Sequence, residues 1–195
     1  GDDRVFLEHH GWCLIAGVPA EHVDPLLQTL DDTLRRDSPI GSRLLVPPTH
    51  TSLGILTPGW DVNGGIWAAM NAVFTWGLGK VDPARAWEEL EANSMHRHAE
   101  TYPRCWYGIW SGPDAYNAPE SERPGETFIH LATPMTDFPV MNMNRHSSTL
   151  HAALRLCGLE SDGSGLAIRP RLPDLDAPIS FELPLCGYER KAGQA

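Results

Sequence analysis

The chain has 195 residues, 42% of them hydrophobic and 21% charged, enough to bury one core of moderate size or to form a piece of a larger domain. Its 25 acidic and 15 basic residues give a formal net charge of -10 with no cluster of Lys and Arg, which excludes the electrostatic footprint of a nucleic-acid binder and favours neutral or cationic ligands. No window approaches the roughly 18 consecutive apolar residues of a membrane span, and GDDRVFLEHH lacks the series of a signal peptide, so a soluble, cytoplasmic protein is expected.

From Arg4 to Gly17, Val5, Phe6, Trp12, Cys13 and Ile15 followed by a glycine predict a short helix. In PAEHVDPLLQTLDDTLRR, Val23, Leu26, Leu27, Leu30 and Leu34 make the stripe of a second helix, with Pro25 near its first turn, and the two are expected to pair as a hairpin. The stretch 41–65, broken by prolines and glycines, is a long loop with at most a short strand. Ile66, Ala69, Met70, Val73, Phe74 and Gly77 then keep helical spacing. Asp82 as N-cap and Pro83 at the first position start the next helix, with Ala86, Trp87 and Leu90 as its buried stripe and Glu88, Glu89 and Glu91 as solvated surface groups.

Residues 102–139 are irregular, and a last helix over 145–157 puts Leu150, Ala153, Leu154 and Cys157 on one face. The alternation of Leu166 with Ile168, and of Ile179, Phe181, Leu183 and Leu185, predicts strands at the end. The fold class is therefore mainly α, built of helical hairpins and followed by a few C-terminal β-strands. Cys13, Cys105, Cys157 and Cys186 lie far apart without a CxxC pair, which argues against a zinc knuckle or a disulfide scaffold.

Tryptophan is unusually common, with 7 against 5 Phe and 4 Tyr. Both irregular regions set polar groups beside it: TPGWDVNGGIW holds Trp60, Asp61, Asn63 and Trp67, and CWYGIWSGPDAYN holds Trp106, Trp110, Asp114 and Asn117. A pyranose has an apolar C–H face and a rim of hydroxyls, so flat rings with Asp and Asn around them suit a sugar. Each stretch alone also reads as an ordinary turn, with Trp60 and Trp106 in the core and Asp114 capping Gly-Pro-Asp. Two such regions in one chain are what raise the sugar site to a candidate.

Glycoside chemistry needs carboxyl groups across the scissile bond, and Asp61, Glu100 and Asp114 are the candidates. His96 and His98, two apart, fall on different faces of a helix, so no metal centre is expected. NRHSSTLHA opens a helix whose N–H groups suit an anion, with Arg145, His146, Ser147 and Ser148 at hand; the serines read equally as caps.

Read in order, RVFLEHHGWCLIAG, VNGGIWAAMNAVFTWGLGKVDPARAWEEL, HSSTLHAALRLCGL and GLAIRPRLP resemble the C-terminal part of glycoside hydrolase family 94, the cellobiose and chitobiose phosphorylases and the phosphorylase-like part of cyclic β-1,2-glucan synthases. The resemblance spans nearly the whole chain and is sharpest at NGGI and GLAIRPRLP. It implies that 1–158 are the C-terminal half of an (α/α)6 catalytic barrel and that 159–195 begin a small C-terminal β-sandwich.

The resemblance further implies a carbohydrate-active enzyme acting on β-linked glucosides or oligosaccharides. Asp61 and Asp114 would be the candidate catalytic carboxylates, Trp60, Asn63, Trp67, Glu100, Trp106, Trp110 and Asn117 the substrate-binding residues, and His146, Ser147 and Ser148 the phosphate-binding ones. It implies no cofactor beyond inorganic phosphate as a co-substrate. The family's acid motif, of Asp-Trp-Asn-Asp type, has no counterpart here, nor has its phosphate-binding Thr-Gly pair, and Val62 stands before NGGI where Glu is common. The general acid is then expected upstream, the rest of the same polypeptide is a partner, a homo-oligomer is compatible, and the isolated fragment is expected to be inactive and to aggregate. The competing expectation is a non-catalytic carbohydrate-binding or structural helical domain.

Overall fold

The computed structural model describes residues 3–49, 57–105, 112–127, 129–130, 133–134, 143–174, 176–184 and 186–193. The described residues are mainly helical, with six α-helices and ten short strands. In chain order these are β1 (Val5–Phe6), α1 (Leu7–Ala16), α2 (Ala20–Leu30) running into a π-helical stretch (Asp31–Arg35), β2 (Leu45–Val46), β3 (Ile66–Trp67), α3 (Ala68–Leu78), α4 (Pro83–Ala92) and α5 (Met95–Thr101). Then come β4 (Ala115–Tyr116), β5 (Ile129–His130), β6 (Thr133–Pro134), α6 (Met143–Leu156), β7 (Leu159–Ser161), β8 (Leu166–Ile168), β9 (Ile179–Leu183) and β10 (Cys186–Arg190). No helix among the described residues is long and apolar enough to cross a membrane.

Local signals set several boundaries. Asp82 accepts the Arg85 N–H at 3.1 Å and Pro83 is the first residue of α4, as its spacing predicts. The helix ends at Ala92, however, because Ser94 is extended and accepts the Arg97 N–H at 3.0 Å, which starts α5 as a separate helix. Ile66 and Trp67 are withdrawn from α3 by strand pairing with β4.

The larger of two core clusters joins α1, α2, α3, α4 and α6: Leu7 and Leu14 of α1, Leu27 and Leu30 of α2, Leu34 of the π-helical stretch, Phe74 and Leu78 of α3, Ala86 of α4 and Leu156 of α6; the smaller holds Ile40, Ile66 and Tyr116. Each such leucine contributes about 1.5–3 kcal/mol by leaving water. The predicted hairpin of α1 and α2 gives way to a different arrangement in which α1 packs chiefly on α3. Gly11 and Gly77 make that seam: a Cβ on Gly77 would lie 2.8 Å from the Gly11 carbonyl oxygen, so only glycine allows the backbones so close. Leu7, Gly11 and Leu14 consequently face inward, whereas Phe6 and Trp12, two of the apolar positions from which the helix is predicted, are 39% and 48% exposed.

α6 is corrected in the same way. Among its described side chains Arg145, Ala152 and Leu156 are buried, while Leu150, on the face it is predicted to share with Ala153, Leu154 and Cys157, is 58% exposed. α3 and α4 are its helical neighbours and select the face it buries. The strands pair only as antiparallel ribbons, β1 with β2, β3 with β4, β5 with β6, β7 with β8 and β9 with β10. β8 and β9 are the strands predicted at the C-terminal end; their partners β7 and β10 are not predicted, and Leu185 lies outside the described residues. β9 and β10 run from Ile179 opposite Arg190 to Leu183 opposite Cys186.

Candidate functional site

The two tryptophan-bearing regions meet. β3 and β4 pair antiparallel, Ile66 opposite Tyr116 and Trp67 opposite Ala115, and beyond the ribbon the Ala118 N–H donates to the Gly59 carbonyl at 2.8 Å. The first arm is a knot of backbone hydrogen bonds: Gly59 N–H to Asn63 O at 2.8 Å, Asn63 N–H to Trp60 O at 2.8 Å and Gly65 N–H to Asp61 O at 2.8 Å. Within it Asp61 takes a left-handed backbone, φ 44°, a conformation Asp tolerates better than most residues. The indole N–H groups of Trp60 and Trp67 are buried with no acceptor among the described residues.

The second arm rests on the N-terminal ends of α3 and α6. The Ala68 N–H donates to the Asp114 carbonyl at 3.1 Å, and Asn144 Nδ2 donates to Asp114 Oδ1 at 2.6 Å. Gly112 lies so close to α6 that a Cβ there would stand 2.6 Å from His146 and 2.7 Å from Arg145. Arg145 is 1% exposed; its Nη1 donates to Asn93 O at 3.0 Å and to Asn93 Oδ1 at 3.1 Å, and its Nε and Nη2 have no partner among the described residues.

Tyr116 lies between two other side chains of the site. The guanidinium of Arg145 lies 4.6 Å from its ring centroid, and His98 of α5 stacks on it at 3.8 Å with 9° between planes. His98 Nε2 lies 2.7 Å from the Gly125 carbonyl, which can only accept, so Nε2 carries the proton. Burial, reinforced by the charge of Arg145, holds His98 down at about 4, so it is neutral at ordinary pH. Burial likewise pulls Arg145 below the usual guanidinium value, with Tyr116 and Asp114 opposing. Among the described residues the arrangement offers the Asp114 carboxylate on the second arm, a buried cation with donors left over on α6 and two indoles on the first arm.

Of the predicted residues, Trp60, Asp61, Trp67 and Asp114 lie on these arms and His146 flanks them. Asn63 and Asn117 are there too, but turned inward: Asn63 accepts from the Thr49 N–H at 2.7 Å and donates to its carbonyl at 3.1 Å, and Asn117 donates to Arg123 O at 3.0 Å. Glu100 is not brought to the group; it is exposed on α5 beside Arg97 and His96. Ser147 and Ser148 lie in the second turn of α6, so they are not caps, and their N–H groups fall where a helix bonds its own carbonyls. Trp106 and Trp110 lie outside the described residues.

Glu89 overturns its expectation as a solvated group. It is 4% exposed, accepting from the Ser42 N–H and hydroxyl at 3.0 Å each and from Arg35 Nε at 2.8 Å. Asn71 adds an acceptor for the Ser42 N–H at 2.7 Å and a donor to Trp67 O at 2.8 Å, and Leu44 N–H reaches Gly65 O at 2.8 Å. This network ties α3 and α4 to the first arm. Its position three residues after Ala86, on the buried stripe of α4, was the available signal. Tyr116 also escaped the sequence reading, and His98 entered it only as a rejected metal ligand. No family model matches the chain, and no curated protein matches it significantly.

Proposed function

We propose that the chain forms one wall of the substrate cleft of a carbohydrate-active enzyme, a glycosidase, transglycosylase or glycoside phosphorylase acting on β-linked glucosides or oligosaccharides. Its helices are the C-terminal half of an (α/α)6 barrel, its last strands begin a β-sandwich, and the general acid comes from outside it. The observation that carries this reading is the β3–β4 pairing, which joins the Trp60–Asp61 arm to the Asp114 arm at the N-terminal end of α6. Indole faces suit the C–H face of a sugar, and Asp114 accepts from hydroxyls or assists the acid. The Nε and Nη2 of Arg145, without a partner among the described residues, suit an oxyanion, which supports phosphate as a co-substrate. The inward-turned amides of Asn63 and Asn117 favour the rival reading, a structural or carbohydrate-binding helical domain.

The test is turnover of oligosaccharides by the complete polypeptide, with and without inorganic phosphate. Asp114→Ala is expected to lower kcat/KM by at least tenfold, about 1.4 kcal/mol. Arg145→Met is expected to remove the phosphate-dependent part alone. Unchanged kinetics in Asp114→Ala would remove that residue from the site, and absence of turnover and of oligosaccharide binding in the wild type would overturn the reading.

A further inference from the structure

α6 presents an apolar stripe, Leu150, Ala153, Leu154 and Cys157, that the fold does not bury: Leu150 is 58% exposed and the other three are half-buried. Beside it runs a groove of about 620 Å³ between α4 and α6, floored by Trp87, Leu90, Leu150 and Ala153 and bordered by Glu88 and Glu91. Its Trp87 wall is anchored, since the indole N–H donates to Arg171 O at 2.8 Å. A concave apolar strip between two helices, left open along an amphipathic face, is the receptor half of helix-in-groove recognition.

We propose that this groove docks a cationic amphipathic helix of a partner, its leucine-like side chains on the floor and its Lys or Arg residues against Glu88 and Glu91. The two hydroxyls of the lining are already engaged with helix backbone, Ser94 accepting from the Arg97 N–H and Thr149 donating to the Arg145 carbonyl, so this surface is not an extension of the Asp114 site, which begins a turn earlier on α6. Charge selects the partner. Glu88 and Glu91 are exposed, Arg97 offsets only Glu91, and the chain carries -10 overall. A second copy meeting groove to groove would set the same carboxylates against each other, so a cationic helix is the complementary occupant.

The probe is a peptide of about 18 residues, long enough to hold helical structure, with Leu at i, i+3, i+4 and i+7 and Lys elsewhere. Controls are the same pattern with Glu for Lys, and a scrambled Leu/Lys peptide without a stripe. By titration calorimetry the Leu/Lys helix is expected to bind the chain, Leu150→Asp to weaken it by at least about tenfold, and the Glu88→Lys/Glu91→Lys variant to weaken it and admit the Leu/Glu helix instead. Both variants alter exposed side chains, and the charge-reversal arm decides the matter should Leu150→Asp melt earlier. No binding, equal binding of the scrambled peptide, indifference to both variants, or a wild-type dimer in sedimentation that Leu150→Asp dissociates would each overturn the proposal.

Discussion

At their N-terminal ends α3 and α6 carry the β3–β4 ribbon; at their C-terminal ends the same helices meet around Trp76. There Trp12 and His151 stand edge-on to Trp76 at 6.4 and 5.7 Å, Arg155 lies over its ring at 4.5 Å and Lys80 at 6.0 Å. The residue types resemble those of the candidate site, yet the cations are differently occupied. Arg155 donates to His151 Nε2 at 3.1 Å and to Leu159 O at 3.0 Å, and Lys80 donates to Ile15 O at 3.0 Å, so both serve carbonyls at or just beyond helix C-terminal ends. Arg145 is instead fully buried over Tyr116, and beyond its bonds to Asn93 its Nε and Nη2 have no partner among the described residues. A buried cation with donors left over, rather than an aromatic ring beside a cation, marks the candidate site.

The sharpest way to break this comparison is through the support of the N-terminal end. Glu89→Ala removes the acceptor shared by Ser42 and Arg35 inside the protein and is expected to cost about 3–5 kcal/mol in denaturant unfolding. A loss below 1 kcal/mol, about what a surface carboxylate is worth, would detach Glu89 from the site's support.

Acid should unpick the same end next. The unfolded chain takes up a proton at His98 near the ordinary 6.5, whereas the folded chain resists until about 4. The contribution is therefore intact above pH 6.5 and lost progressively as pH falls to 4, by about 3 kcal/mol in all. His98→Phe should flatten this part of the stability profile; a profile of unchanged slope would contradict it. The smallest effect belongs to the other end. Arg155→Ala is expected to cost about 1 kcal/mol through the lost cation–π contact and the bonds to the Leu159 carbonyl and His151, leaving oligosaccharide affinity unaltered. A fall in affinity would show that the Trp76 end is also a site.

What could be read from residue order was local. The cap of α4 at Asp82 and Pro83, the stop at Gly17 and the alternation in β8 and β9 depend on neighbours a few positions away, and they stand as the spacing predicts. The seam of α1 on α3 was hidden because glycines make it, and glycine adds nothing to a hydrophobic stripe. Leu150 misled for the opposite reason: the stripe on α6 is genuine, but its burial depends on a partner element rather than on the helix that bears it.

The site divides along the same line. Residue order determined which tryptophans, carboxylates and amides stand in turns, because turn chemistry and aromatic clustering are written in consecutive residues. Tertiary structure decided which of them meet: the pairing of Ile66 with Tyr116, the burial of Arg145 under Gly112 and the conversion of Glu89 from a surface charge into an anchor for Ser42. Each depends on groups about 30–50 positions apart, and whether a polar atom is satisfied or left over is fixed only once those distant neighbours are in place.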